Sequence, residues 1–223
     1  MLLLLPFLFI ALVIGLIIIL AVYTHQKEKE RTQQMQALAG QIGWAFAAEP
    51  PLAMIPGFNN FGLFSQGHER SRAIRNMLYG EANGVKAAIF DYTYVTGSGK
   101  HRQTHNQSVV YLESPNLRLP YFSLRPEGIM HKLFTVFGYQ DIDFGQRPEF
   151  SKNYLLRGPD EPSIRRTFQN GVLAFYEANQ GVCTDGGGNQ LLLYREGYRV
   201  PPQDVQQYVG WGLGVLQLFP RSW

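Results

Sequence analysis

The sequence predicts an α+β protein: an N-terminal transmembrane helix followed by one soluble domain in which antiparallel sheet is covered by helices. Three observations predict it. Leu2 to Tyr23 reads LLLLPFLFIALVIGLIIILAVY without one charged residue. Strand-like runs at 75–81, 85–95 and 104–113 are separated by Asn83-Gly84 and by a Gly-Ser-Gly-Lys loop, the pattern of an antiparallel meander. Stretches following Pro126, Asp160 and Pro201 instead repeat apolar residues at spacings of three and four, the mark of one-sided helices.

The first of these elements is the most sharply defined. As a helix, the 22 residues from Leu2 to Tyr23 extend roughly 33 Å, matching a hydrocarbon core of about 30 Å. Seventeen of them are Leu, Ile, Val or Phe, which together favour bilayer insertion by up to about 5–10 kcal/mol. A cleaved signal peptide would need a basic start and a small-x-small end, whereas nothing basic precedes Leu2 and Ala21-Val22-Tyr23 ends in a bulky ring. Lys27, Lys29 and Arg31 follow the span and none precedes it, so the positive-inside bias places the N-terminus outside and the domain in the cytoplasm. The expected organisation is 1–24 as membrane anchor, 25–43 as a juxtamembrane helix with an apolar stripe at Met35, Leu38 and Ile42, and 44–223 as the soluble domain. A fragment beginning near Trp44 is expected to fold by itself.

The remaining elements follow in order. Prolines at 50, 51 and 56 make 49–60 an irregular lead-in, and the meander follows it. A short strand at 119–124 precedes a helix opening at Pro126, with Ile129, Met130, Leu133, Phe134 and Phe137 on one face. Asp141 to Phe144 and Pro148 to Phe150 read as loop, and 153–157 as a strand. Asp160 caps a helix that breaks at Asn170-Gly171 and resumes, and a second hairpin turns through Asp185-Gly-Gly-Gly-Asn189. A last helix from Pro201-Pro202 carries Val205, Val209, Leu213, Leu216 and Phe219 toward the core.

Chemistry is sparse. Gly97-Ser98-Gly99-Lys100 has the look of a phosphate loop, but a Walker A needs Gly where Tyr94 stands and Ser or Thr where His101 stands, and it must open a helix. The segment reads better as an exposed hairpin tip with a basic cluster of Lys100, His101 and Arg102. Asp141 and Asp143 with Glu149 form an acidic loop without EF-hand spacing. The five histidines make no zinc pattern, His131 lies within an apolar helix, and the lone Cys183 has no base near it in sequence. Phe90, Tyr92 and Tyr94 share one strand face without a basic neighbour, which suits core packing better than RNA stacking. Asp91, on the opposite face, is a charge in an apolar strand and calls for an arginine or a backbone donor. A net charge of +3 and a pI near 9.0 suit a domain beside an anionic leaflet and fall short of a nucleic-acid binder.

Taken together, F-D-Y-x-Y at Phe90–Tyr94 with the Gly-Ser-Gly-Lys tip, L-P-x-F-x-L-R-P-E at Leu119–Glu127, Asp141–Phe144 and P-E-F-S-x-x-Y at Pro148–Tyr154 resemble a family of uncharacterised bacterial single-pass, membrane-anchored proteins with no assigned activity. That resemblance implies bacterial origin and anchoring, and no catalytic residues. The expectation is a cytoplasmic interaction or scaffolding domain at the inner membrane, held by the bilayer through residues 2–23 and serving a protein partner. Neither cofactor, metal nor nucleic acid is expected, and Asp91, Lys100, His101, Arg102, Asp141 and Asp143 are the polar positions of interest. The alternative is a membrane-associated enzyme, a hydrolase or a nucleotide- or metal-dependent one, using the loop carboxylates.

Overall fold

The computed structural model describes residues 5–128 and 140–220; within its first helix the side chains of residues 5–8 and 11 are not described. The helix face expected from Ile129 to Phe137, with His131, therefore lies outside the described residues.

Helix α1 (Leu5–Ile42) is continuous over 38 residues, about 57 Å at ~1.5 Å per residue. No Pro or Gly falls between Leu16 and Ala39, so nothing interrupts it where the apolar run gives way to KEKERTQQMQ. Among the described residues no helix is long and apolar enough to cross a membrane. The described apolar side chains of α1 from Phe9 to Tyr23 are nonetheless largely exposed, Phe9 and Leu12 at 68%. Further along, the same helix enters the core: Met35 and Ala39 are buried, and Leu38 and Ile42 pack against them. The globular part thus begins within α1 and not at Trp44.

Eight strands form one antiparallel sheet: β1 (Ala45–Ala47), β2 (Ala73–Ala82), β3 (Val85–Thr96), β4 (Gln103–Glu113), β5 (Leu119–Pro126), β6 (Tyr154–Arg157), β7 (Cys183–Gly188) and β8 (Gln190–Tyr194). Their spatial order is β1-β2-β3-β4-β8-β7-β5-β6. The expected meander is β2-β3-β4, and Asn83 and Gly84 both take positive φ (56° and 74°), as the tight β2–β3 turn requires. Pro126 ends β5 opposite Tyr154, and the helix expected after it falls on residues outside those described. The second hairpin is displaced. Asp185, Gly186 and Gly187 belong to β7, and the chain reverses at Gly188-Asn189. A Cβ on Gly186 would lie 2.3 Å from the Phe122 ring of β5, so bareness there admits an aromatic and does not mark a turn.

One face of the sheet packs on the inner half of α1, on α4 (Glu161–Thr167), α5 (Asn170–Ala178) and α6 (Val205–Leu216), with Ile89, Val110, Leu124 and Leu193 against them. The expected cap is present, Asp160 Oδ1 accepting the Ser163 N–H at 3.1 Å, while the break between α4 and α5 falls at Phe168-Gln169, ahead of Asn170. Pro148-Glu149-Phe150, expected as loop, instead opens helix α3 (Pro148–Asn153), with Pro at the first turn where its missing N–H removes no bond. Val205, Val209, Leu216 and Phe219 are buried, so α6 is a core helix.

The other face is closed by the lead-in. Two 3-10 turns, Leu52–Met54 and Phe58–Asn60, and helix α2 (Gly62–Ser65) lay Ile55, Phe61, Leu63 and Phe64 over Phe90, Tyr92, Tyr94 and Val109. Burial of all three strand aromatics to 1% or less leaves no ring to stack on a base.

Candidate functional site

The densest polar construction joins α1 to the sheet. Asp91 projects from β3 toward α1 and is 4% exposed. Arg31 donates to both its oxygens, from Nε at 2.8 Å and Nη2 at 2.7 Å, and Ser108 Oγ of β4 donates at 2.8 Å. Asn76 donates a fourth bond at 3.0 Å from a β2 bulge where its φ is +52°, a left-handed conformation that Asn tolerates better than most residues. Arg199, in the loop before α6, bridges the remainder: Nη1 and Nη2 donate to Glu28 of α1 at 2.6 and 2.8 Å, and Nη2 reaches Asp91 at 3.0 Å. Two carboxylates meet two guanidiniums, so the network is neutral. Burial raises the Asp91 pKa, but the Arg31 hydrogen bonds and the charges of Arg31 and Arg199 prevail and hold it at about 2.

A second buried pair lies farther along the sheet. Arg125 of β5 donates from Nη2 to both oxygens of Asp185 in β7, at 2.8 and 2.7 Å, with the residues 2% and 1% exposed. Asp185 also accepts the Leu63 N–H at 3.1 Å, tying the lead-in to the sheet, and the guanidinium lies over the Tyr194 ring. Cys183, next to this pair, is buried and its thiol pKa is pushed up to about 12 by that burial. A thiol held so is no nucleophile at neutral pH.

At the outer end of β3 and β4, Thr96 Oγ1 and His105 Nε2 share a hydrogen bond of 2.9 Å, and His105 Nδ1 lies 3.1 Å from Glu196. Hydroxyl, imidazole and carboxylate stand in the order of a nucleophile and its base. Thr96 and His105 are both buried, however, and the imidazole is stacked flat on Tyr94 at 4.6 Å, so the three close the end of the core.

The remaining positions of interest are dispersed. Lys100, His101 and Arg102 are exposed on the β3–β4 turn, between strands as the sequence requires. Asp141 Oδ1 accepts the N–H groups of Ile142 and Leu156, at 3.1 and 2.8 Å, and so caps the outer edge of β6. Burial pushes its pKa above the ordinary value, against the Leu156 N–H and with Asp143 adding to the rise. Asp143 is exposed, and its carbonyl accepts from Arg165. β6 stands five strands from β3, roughly 24 Å at ~4.8 Å per strand, so the acidic loop and Asp91 belong to different regions. Among the described residues no three His, Cys, Asp or Glu side chains are grouped to hold a metal.

Sequence reasoning missed Glu28, Arg31, Arg199, Arg125 and Asp185 as partners. Glu28 and Arg31 read as membrane flank and Asp185 as turn. Their one available signal was that Asp91 and Arg125 each stand in an otherwise apolar strand.

Beside these, a shallow cleft of about 730 Å³ opens between the 144–147 segment and the α4–α5 corner. Phe144, Phe168 and Leu173 supply its apolar surface, and Gln146, Arg147, Arg165 and Asn170 its polar wall. Both arginines are already engaged, Arg147 with Glu177 and Arg165 with Glu161.

No family model matches this chain, and no curated protein matches it. Among solved structures it is similar to the mycobacterial trehalose monomycolate transport factor A, TtfA, with a TM-score of 0.56 at 13% identity, covering 86% of this chain and 97% of that one. At that identity the likeness is one of fold.

Proposed function

We propose that this chain is a membrane-anchored interaction or scaffolding module at the cytoplasmic face of a bacterial plasma membrane. The observation that carries the reading is the division of α1: apolar side chains from Phe9 to Tyr23 are left exposed, whereas Glu28 to Ile42 are bonded and packed into the domain. An exposed apolar rod of that length calls for a lipid environment, and with residues 2–8 the apolar run reaches bilayer thickness. Lys27 and Lys29 remain exposed after the span and favour a cytoplasmic domain, though Arg31 serves the domain and not the lipid. The neighbour in fold is named as a transport factor, which accords with an accessory role.

The cleft beside α4 and α5, lined by both apolar and polar side chains, is the surface offered to a partner. Against the enzyme alternative, Asp141 Oδ1 already accepts two backbone N–H groups, while Asp143 is left exposed. The native chain, extracted in mild detergent and purified, should carry a stoichiometric protein partner identifiable by mass spectrometry. Gln146→Trp, at an exposed position in the cleft, should release it. An unaltered chain that purifies alone from its native membrane contradicts the module.

A further inference from the structure

The relation between α1 and β3 places another part of the domain at the membrane. Residue numbers rise in opposite directions along the two elements. Arg31 of α1 meets Asp91, while Trp44, two residues beyond the end of α1, lies over Gly80, whose strand partner is Ala87. From Arg31 to Ile42 the helix advances roughly 16 Å. From Asp91 back to Ala87 the strand covers about 13 Å. The similar distances show two axes running close to antiparallel. Moving from Asp91 toward Thr96 therefore follows the direction in which α1 runs from Arg31 to the exposed apolar segment.

Lengths then set the level. Tyr23, the last residue of the apolar run, is eight residues from Arg31, or about 12 Å along α1. Thr96, the last residue of β3, is five residues from Asp91, or about 17 Å, and the turn through Arg102 lies beyond it. Thr96 thus lies about 5 Å past the level of Tyr23, beside the membrane end of the apolar run, a depth from which long basic side chains reach back to the headgroups. Lys100, His101 and Arg102 are exposed there, and neither Lys100 nor Arg102 has an ion-pair partner among the described residues. The adjoining turn Glu69–Ser71 is held to this end of β3 by Ser71 Oγ, which accepts the Val95 N–H at 2.9 Å, and by His68, whose ring lies 2.7 Å from the Gly97 carbonyl. It adds exposed Arg70 and one acid, Glu69. Cations dominate this end.

We infer that the β3–β4 tip, through Lys100, His101 and Arg102, is a second contact of the domain with an anionic lipid leaflet. Resting on the anchor reading above, this contact fixes the tilt of the domain and sets which faces remain open to partners. Two attachments, the helix and the tip, restrain rotation that one helix alone leaves free.

The test uses the full chain in vesicles of phosphatidylcholine with or without phosphatidylglycerol. A fluorophore at Ser98→Cys reports on the tip; Cys183 is buried and does not compete for label. A fluorophore at Glu81→Cys reports on the opposite end of the β2–β3 pair. With a headgroup-borne quencher, the tip probe should be quenched at least threefold more than the Glu81→Cys probe in anionic vesicles. The excess should shrink as salt rises and the screening length falls from about 10 Å toward 3 Å. Lys100→Glu with Arg102→Glu should abolish it, each lost cation weakening the contact about fivefold. Equal quenching at both probes, or tip quenching indifferent to phosphatidylglycerol, overturns the contact. Vesicle flotation is scored on the same samples: a chain that does not float refutes the anchor and the contact together, whereas one that floats with an unquenched tip refutes the contact alone.

Discussion

Arg31 of α1 holds Asp91 of the third strand in a bidentate pair through Nε and Nη2, at 2.8 and 2.7 Å, so the element that emerges from the apolar run is tied to the centre of the sheet. The Asp91 pKa lies at about 2 against an ordinary 3.8. A carboxyl depressed on folding stabilises the fold above its unfolded pKa and loses that contribution as pH falls through its folded value. Here the window is about pH 4 to 2 and the amount about 2 kcal/mol. Urea melts across that window should show the loss, and Asp91→Asn, less stable at neutral pH, should show correspondingly less of it.

The same helix decides where the domain can be cut. A fragment from residue 25 retains Glu28, Arg31, Met35 and Ala39, whereas one from Trp44 leaves Asp91 and Arg199 without their α1 partners. Removing a buried charge partner costs about 3–5 kcal/mol and removing a buried Met a further 2–5. Against a total of about 5–15 kcal/mol, the shorter fragment should lack a cooperative thermal transition that the longer one displays. That outcome reverses the expectation from sequence.

Arg125 and Asp185 are bonded at 2.7 Å with almost no exposure. Arg125→Met alone should destabilise by about 3–5 kcal/mol, because an uncompensated carboxylate is left in the core. Pairing it with Asp185→Leu should recover most of that loss, and a double-mutant cycle in urea measures the difference.

Two adjacent glycines should respond differently to alanine. At Gly186 the added Cβ meets the buried Phe122 ring, at Gly187 the Tyr121 ring, which is 46% exposed and free to swing away. Gly186→Ala should cost about 1–3 kcal/mol and Gly187→Ala distinctly less, by thermal denaturation.

These residues also show what was legible. The β2-β3-β4 meander could be read because two-residue alternation and Asn83-Gly84 report on local geometry, which neighbours in sequence determine. The stripe of α6 was legible for the same reason. The Asp185-Gly-Gly-Gly run misled because a glycine bared for a turn and one bared for an incoming ring are the same letter, and Phe122 arrives from 64 residues away. The lead-in carries its aromatic residues at no fixed spacing, so its role as a cover for Phe90, Tyr92 and Tyr94 follows only from the sheet it meets. Glu28 and Arg31 looked like membrane flank because their partners, Arg199 and Asp91, are distant in sequence.

The central claim, that one helix both anchors the chain and enters a cytoplasmic domain, is tested most directly by a C-terminal fusion to green fluorescent protein, measured in bacterial membranes after alkaline carbonate extraction. Green fluorescent protein matures in the cytoplasm and fails when exported through the general secretory route. The account predicts fluorescence retained in the extracted membrane pellet, and its transfer to the supernatant when Ile14 and Ile18 of α1 are changed to Lys. Fluorescence in the supernatant from the unaltered chain, or a dark pellet containing the full-length fusion, would contradict it.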